Sequence, residues 1–101
     1  MQDAFAVVAF DEWFNAKRHN FEGFELRCNK SMSSHRVTDA EIDTPTHSVS
    51  ICAWDQGNCL EIQIVDLATE KTIVEDQSCA DKDQLLARLN TFLDWFTAQH
   101  G

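Results

Sequence analysis

Four cysteines (Cys28, Cys52, Cys59, Cys79), four histidines (His19, His35, His47, His100) and seventeen carboxylates are the side chains of this 101-residue chain able to bind a metal, attack a carbonyl or carry a proton. A structural zinc site is built from Cys-x-x-Cys pairs and closely spaced histidines, and neither spacing occurs. Nor is there a Gly-x-Ser-x-Gly elbow, a His-Glu-x-x-His helix, a phosphate-binding loop or a Gly-x-Gly-x-x-Gly turn. The histidines are scattered along the sequence and read as polar surface residues. Among the carboxylates, Glu75 and Asp76 are neighbours on an expected strand and so point to opposite faces. Asp81 and Asp83 open an expected helix, where carboxylates cap and complement the dipole. No calcium-loop pattern is present. The residue types therefore predict free thiols, no metal, no cofactor and no catalysis.

The elements that position these residues follow from periodicity. Asp3 is placed to cap a first helix over 4–18, with Ala6, Val7, Phe10, Trp13, Phe14 and Lys17 on one stripe. After His19-Asn20 and Gly23, residues 24–29 alternate, with Phe24, Leu26 and Cys28 on one face, as a half-buried strand does. Residues 35–40 read as a weak edge strand and 42–46, with Pro45, as a loop. The middle is clearer. Val49, Ile51 and Ala53 alternate along 47–55, and Leu60, Ile62 and Ile64 along 59–67, around the turn sequence Asp55-Gln56-Gly57-Asn58. Pairing Trp54 with Cys59 brings both apolar rows to one face. It also sets Cys52 opposite Glu61 rather than opposite Cys59, against a disulfide. A turn at 68–71 leads to a short strand over 72–76. Asp81 and Gln84 then form a capping box for a last helix to about Ala98, with Leu85, Leu86, Leu89, Phe92, Leu93 and Phe96 as its apolar stripe. Trp95 borders that stripe and reads as core.

The prediction is one α+β domain over 1–101, in the order α-β-β-β-β-β-α, with an antiparallel sheet of about five strands. The N- and C-terminal helices pack on one face and leave the other for a partner.

Eight Lys/Arg against seventeen Asp/Glu give a net charge of −9. Eight of the acids lie in the stretch from Asp55 to Asp83, against Lys71 and Lys82. Such a surface disfavours direct contact with nucleic acid or anionic membrane and favours a basic partner. Ala4–Phe10 is apolar but is closed by Asp11 and Glu12, too short for an export signal or a bilayer span. The expected location is the cytoplasm. Trp54 alternates onto the face opposite Val49, Ile51 and Ala53, beside Glu61. There it either anchors an interface or packs beneath a covering element.

Three segments resemble the TriTu family of immunity proteins from contact-dependent growth inhibition and polymorphic toxin systems. They are Phe10-Asp-Glu-Trp13-Phe14 with Asn20-Phe21-Glu-Gly23-Phe24, the run from Cys59 through Asp66 to Glu70, and the terminal Leu85, Leu89, Phe92-Leu93-Asp94-Trp95-Phe96. The resemblance implies an inhibitor that binds a cognate toxin domain, in a complex that includes elongation factor Tu, with a toxin that cleaves transfer RNA. An acidic protein would meet the basic active-site surface of such a nuclease and occlude it. From strand parity and charge, the expected contact surface is Trp54, Asp55, Glu61, Asp66, Glu70, Glu75 and Asp76. The alternative is a type III secretion chaperone binding an effector segment. That class is also small, acidic and α+β, but normally carries a further helix between its strands.

Overall fold

The computed structural model describes residues 4–31 and 37–100, with the backbone alone at 28–31, 37 and 100. The elements run α1 (Ala6–Lys17), a 3-10 turn (Arg18–Phe21), β1 (Glu25–Ser31), β2 (Val37–Asp43), β3 (His47–Trp54), a 3-10 turn (Gln56–Asn58), β4 (Cys59–Asp66), β5 (Thr72–Ser78) and α2 (Lys82–His100). This is the predicted α-β-β-β-β-β-α order. All strand pairs are antiparallel and the spatial order is β1-β2-β3-β4-β5, so each strand lies beside its sequence neighbours.

The β3–β4 register is the one the two apolar rows require: Trp54 faces Cys59, Ala53 faces Leu60, Ile51 faces Ile62 and Val49 faces Ile64. These residues join Ala40 and Ile42 of β2 in a single core with both helices. Helix α1 contributes Ala6, Ala9, Phe10, Trp13 and Phe14, and α2 contributes Leu85, Leu89, Phe92 and Phe96. Phe21 locks them together. It stacks on Phe14 at 5.7 Å and meets Phe96 edge-on at 5.1 Å. Between the helices, Trp13 Nε1 donates to Asn90 Oδ1 at 2.9 Å.

Two expectations need correcting. The edge strand expected over 35–40 is instead Val37–Asp43, and it lies inside the sheet between β1 and β3. The loop expected over 42–46 shrinks to a tight turn around Pro45. There Thr44 Oγ1 accepts from the His47 amide at 2.9 Å and the Thr46 amide at 3.3 Å, while the Thr44 amide donates to the His47 carbonyl at 2.9 Å. The hydroxyl supplies what a longer loop would otherwise have to. His35 and Asp3, the expected helix cap, lie outside the described residues.

Helix α1 obtains its cap from far along the chain. Asn58 Oδ1 accepts from the amides of Phe5 (2.9 Å) and Ala6 (3.2 Å), and Asp55 Oδ1 accepts from the amide of Val7 (3.0 Å). The first amides of a helix have no partner within it, and an anionic group there also meets the positive end of the dipole. The β3–β4 turn is thus the helix's anchor. Its geometry needs left-handed backbone at Gly57 (φ 73°) and Asn58 (φ 48°), residue types that tolerate it. At α2, Asp81 Oδ1 accepts from the Gln84 amide at 2.8 Å as the expected cap, while Gln84 Oε1 accepts from the amide of Ala80 at 2.6 Å, one residue before the amide a capping box would engage.

Candidate partner-binding face

Both helices lie on the side of the sheet that carries Ala40, Ile42, Ile51, Ala53, Leu60 and Ile62. Alternate residues of the same strands therefore form a second face with no helix on it. The registers lay out its rows. One crosses from Asp39 to Cys52, Glu61 and Asp76, and the next from Arg27 to Glu41, Ser50, Gln63 and Val74. A third runs from Glu25 to Asp43, Ser48, Val65 and Thr72, and a fourth from Val37 to Trp54, Cys59 and Ser78.

Strand parity puts Glu25, Asp39, Glu41, Asp43, Glu61 and Asp76 on this open face. Among the described side chains, Arg27 is the one base placed there. It bridges Glu41 at 2.8 Å and Asp43 at 3.2 Å, and Ser48 Oγ donates to Asp43 at 3.0 Å. Glu61 and Asp76 stand directly opposite each other, an arrangement of like charges that costs stability unless a cation approaches. Trp54 is half-buried at the end of the face, next to Cys59 across the β3–β4 pair.

The electrostatics of the face are reported by its thiol. Partial burial pushes the Cys52 thiol up from its ordinary value, and the carboxylates of Asp39, Glu61 and Glu41 push it further. A thiol held protonated in this way is a poor nucleophile and a poor metal ligand. Burial likewise raises Cys79, offset in part by Arg88. Cys52, Cys59 and Cys79 are free thiols. Among the described residues, no three His, Cys, Asp or Glu side chains converge in a way that could hold a metal ion.

Of the seven residues expected at the contact surface, the open face brings together Trp54, Glu61 and Asp76. The other four lie elsewhere, each with a structural tie. Asp55 caps α1. Asp66 shapes the β4–β5 turn by accepting from the amides of Ala68 (2.9 Å) and Thr69 (3.2 Å), and those bonds hold its carboxyl below the ordinary 3.8. Glu70 sits in the same turn with φ 60°. Glu75 turns to the helix side and pairs with Arg88 of α2 at 3.4 Å.

Sequence reasoning missed Asp39, Glu41 and Asp43. Their signal was present: Thr38, Ala40 and Ile42 are buried and alternate with three acids, a period-two pattern over 38–43. The polarity of the stretch and Pro45 beyond it obscured that pattern.

The family model described as immunity protein TriTu matches residues 8–95, which span most of α1, the whole sheet and most of α2. No curated protein and no solved structure gives a match.

Proposed function

Because the chain belongs to the TriTu family of immunity proteins, we propose that it neutralises a basic, RNA-cleaving toxin domain by covering it with the acidic open face of the sheet. Immunity proteins of this family bind a cognate toxin protein. The finer reading rests on one observation: among the described residues, six carboxylates and one arginine occupy a sheet face that neither helix covers. A nuclease surface that grips phosphates presents Lys and Arg, and a field of the opposite sign speeds encounter and competes with RNA for the same groups. The contact centres on Trp54, Glu61 and Asp76 together with Asp39, Glu41 and Asp43. Asp55, Asp66, Glu70 and Glu75 stand at its margins. Trp54 supplies the large, partly buried aromatic that interface centres favour. The inhibitor itself does no chemistry. It acts in the cytoplasm, where the toxin's RNA substrate is, and elongation factor Tu joins the complex through the toxin.

The secretion-chaperone reading gains no support, since the described residues between Glu25 and Ser78 contain no α-helix. Among the described residues, no helix is long and apolar enough to cross a membrane.

The test is a charge reversal of the face: Asp39→Lys, Glu61→Lys and Asp76→Lys, singly and combined, against the toxin domain recovered with the wild-type protein by pull-down and mass spectrometry. The triple variant should lower the association rate by about 10- to 100-fold at low salt and flatten its salt dependence. Unchanged rate and affinity in the folded triple variant would reject this face as the contact surface. Gel filtration of the wild-type pair with elongation factor Tu checks the ternary complex.

A further inference from the structure

Strand β5 is an edge of the sheet, and every one of its residues from Thr72 to Ser78 is exposed. Its two large apolar side chains are the most exposed of their kind among the described residues, Ile73 at 60% and Val74 at 54%. Edge strands of soluble proteins are usually blunted by charged side chains, proline or a bulge, and the charges that β5 carries are Glu75 and Asp76. Between Thr72 and Ser78 there is no lysine and no proline, and β5 pairs with β4 over seven consecutive residues without a bulge. The outward backbone groups of such a strand are a template for another.

Beside this edge, on the helix side, runs a groove of about 360 Å³. Ile62, Ile64 and Ile73 wall it from the sheet, and Phe92 and Trp95 wall it from α2. Arg88 and Glu75, paired at 3.4 Å, close one part of it. The Nε–H of Arg88 is buried there without an acceptor among the described residues. On the opposite side of the same strand Asp76 faces Glu61, with Asp39 further along that row.

We propose that β5 takes up an extended segment of the bound toxin as a sixth strand. The occupant's side chains alternate: apolar ones face α2 and cover the groove, and Lys or Arg on the other side lie against Asp76 and Glu61. This rests on the reading that the protein binds a basic toxin, and it names how part of that toxin is held. Charge selects the occupant. A cation beside Asp76 relieves the like-charge pair it forms with Glu61. A second copy of this chain does the reverse. Antiparallel pairing of two β5 strands about Val74 sets Ile73 against Glu75 and Thr72 against Asp76, and it brings four carboxylates and two net charges of −9 together.

The probe is a synthetic seven-residue peptide alternating valine and lysine, with blocked ends. It is added at low millimolar concentration to isotopically labelled full-length protein and followed by amide NMR. Two control peptides share its length. One alternates valine and glutamate, and the other is the lysine peptide methylated on alternate backbone nitrogens. The expected result is shifts confined to the amides of 72–78 and the Trp95 indole, with slowed amide exchange along β5. Affinity should be about tenfold weaker for the glutamate peptide and lost for the methylated one. Ile73→Lys, an exposed substitution that preserves the circular-dichroism spectrum, should abolish binding.

Three results would overturn the proposal. One is equal binding of the methylated peptide, which would mean charge without strand pairing. Another is an absence of shifts along β5. The third is concentration-dependent self-association of the protein through β5 with no peptide added. Any of these, combined with a toxin association rate that still falls in the Asp39/Glu61/Asp76 reversal, would remove strand addition and leave the toxin-binding reading standing. Peptide capture at β5 with an unchanged toxin association rate in the reversal would keep β5 as a strand acceptor and remove the open face as the toxin contact.

Discussion

Replacing Asn58 with alanine should destabilise the protein far more than a surface-turn substitution does. Asn58 is 2% exposed, and its Oδ1 holds the amides of Phe5 and Ala6 at 2.9 and 3.2 Å. Loss of a helix cap costs about 1 kcal/mol. Leaving the buried Ala6 amide without an acceptor adds roughly 1–2 kcal/mol. Alanine at φ 48° costs about another 1 kcal/mol. Asn58→Ala should therefore lose about 3–4 kcal/mol, out of a total on the order of 5–10 kcal/mol for a domain of this size. Two companion variants separate the causes. Asn58→Gly removes the backbone strain and should lose about 2 kcal/mol. Asn58→Asp keeps the acceptor but places a second carboxylate beside Asp55 at a position 2% exposed, so it should lose about 1–2 kcal/mol, less than alanine. Urea unfolding followed by tryptophan fluorescence gives the midpoints. With a slope of roughly 1–1.5 kcal/mol per molar, the alanine variant should shift by about 2–4 M. An alanine variant within about 0.5 kcal/mol of wild type would refute the remote cap. So would a glycine variant as stable as wild type, since backbone conformation alone would then explain the residue.

Two further outcomes concern titration. Asp39→Asn and Glu61→Gln remove charges that raise the Cys52 thiol, so its alkylation by iodoacetamide should become faster near neutral pH and the midpoint of its pH–rate profile should fall, read by peptide mass spectrometry to separate it from Cys59. A midpoint that stays put in both variants would show that the acids do not act on Cys52. The Asp66 carboxyl is held below 3.8 by the Thr69 and Ala68 amides, so its contribution to stability is present above that value and is lost as pH falls through the lower folded value. Asp66→Asn should accordingly show a shallower loss of thermal stability between about pH 4 and pH 2 than wild type, and an unchanged slope would contradict the turn's hydrogen bonding.

What the sequence made legible was whatever local periodicity encodes. Val49, Ile51 and Ala53 meet Leu60, Ile62 and Ile64 on one face when the short turn at 55–58 pairs Trp54 with Cys59, so the β3–β4 hairpin and the uncovered face behind it were readable. The stripe from Leu85 to Phe96 marked α2 in the same way. Strand β2 was harder because its covered face is thin, with Thr38, Ala40 and Ile42 doing what Val, Ile and Leu do in β3 and β4. Its acids, Asp39, Glu41 and Asp43, were therefore not counted on the open face. The divergence of Glu75 and Asp76 was readable, but which of the two joined Glu61 was not. Parity within a strand is local, whereas the face it meets depends on pairing with β4. The cap on α1 was out of reach altogether, since it joins residues 52 and 53 positions apart.

The same cap has a consequence for how the chain assembles during synthesis. Each strand's partners are its immediate predecessor and successor, so the sheet can grow hairpin by hairpin as it leaves the ribosome. Helix α1 emerges before the sheet, yet the oxygens that receive its leading amides belong to a turn made more than fifty residues later. Until that turn arrives, the helix must fray or wait, its aromatic stripe in water. A helix translated before the sheet is thus among the last elements to be secured, and the β3–β4 turn is the event that secures it.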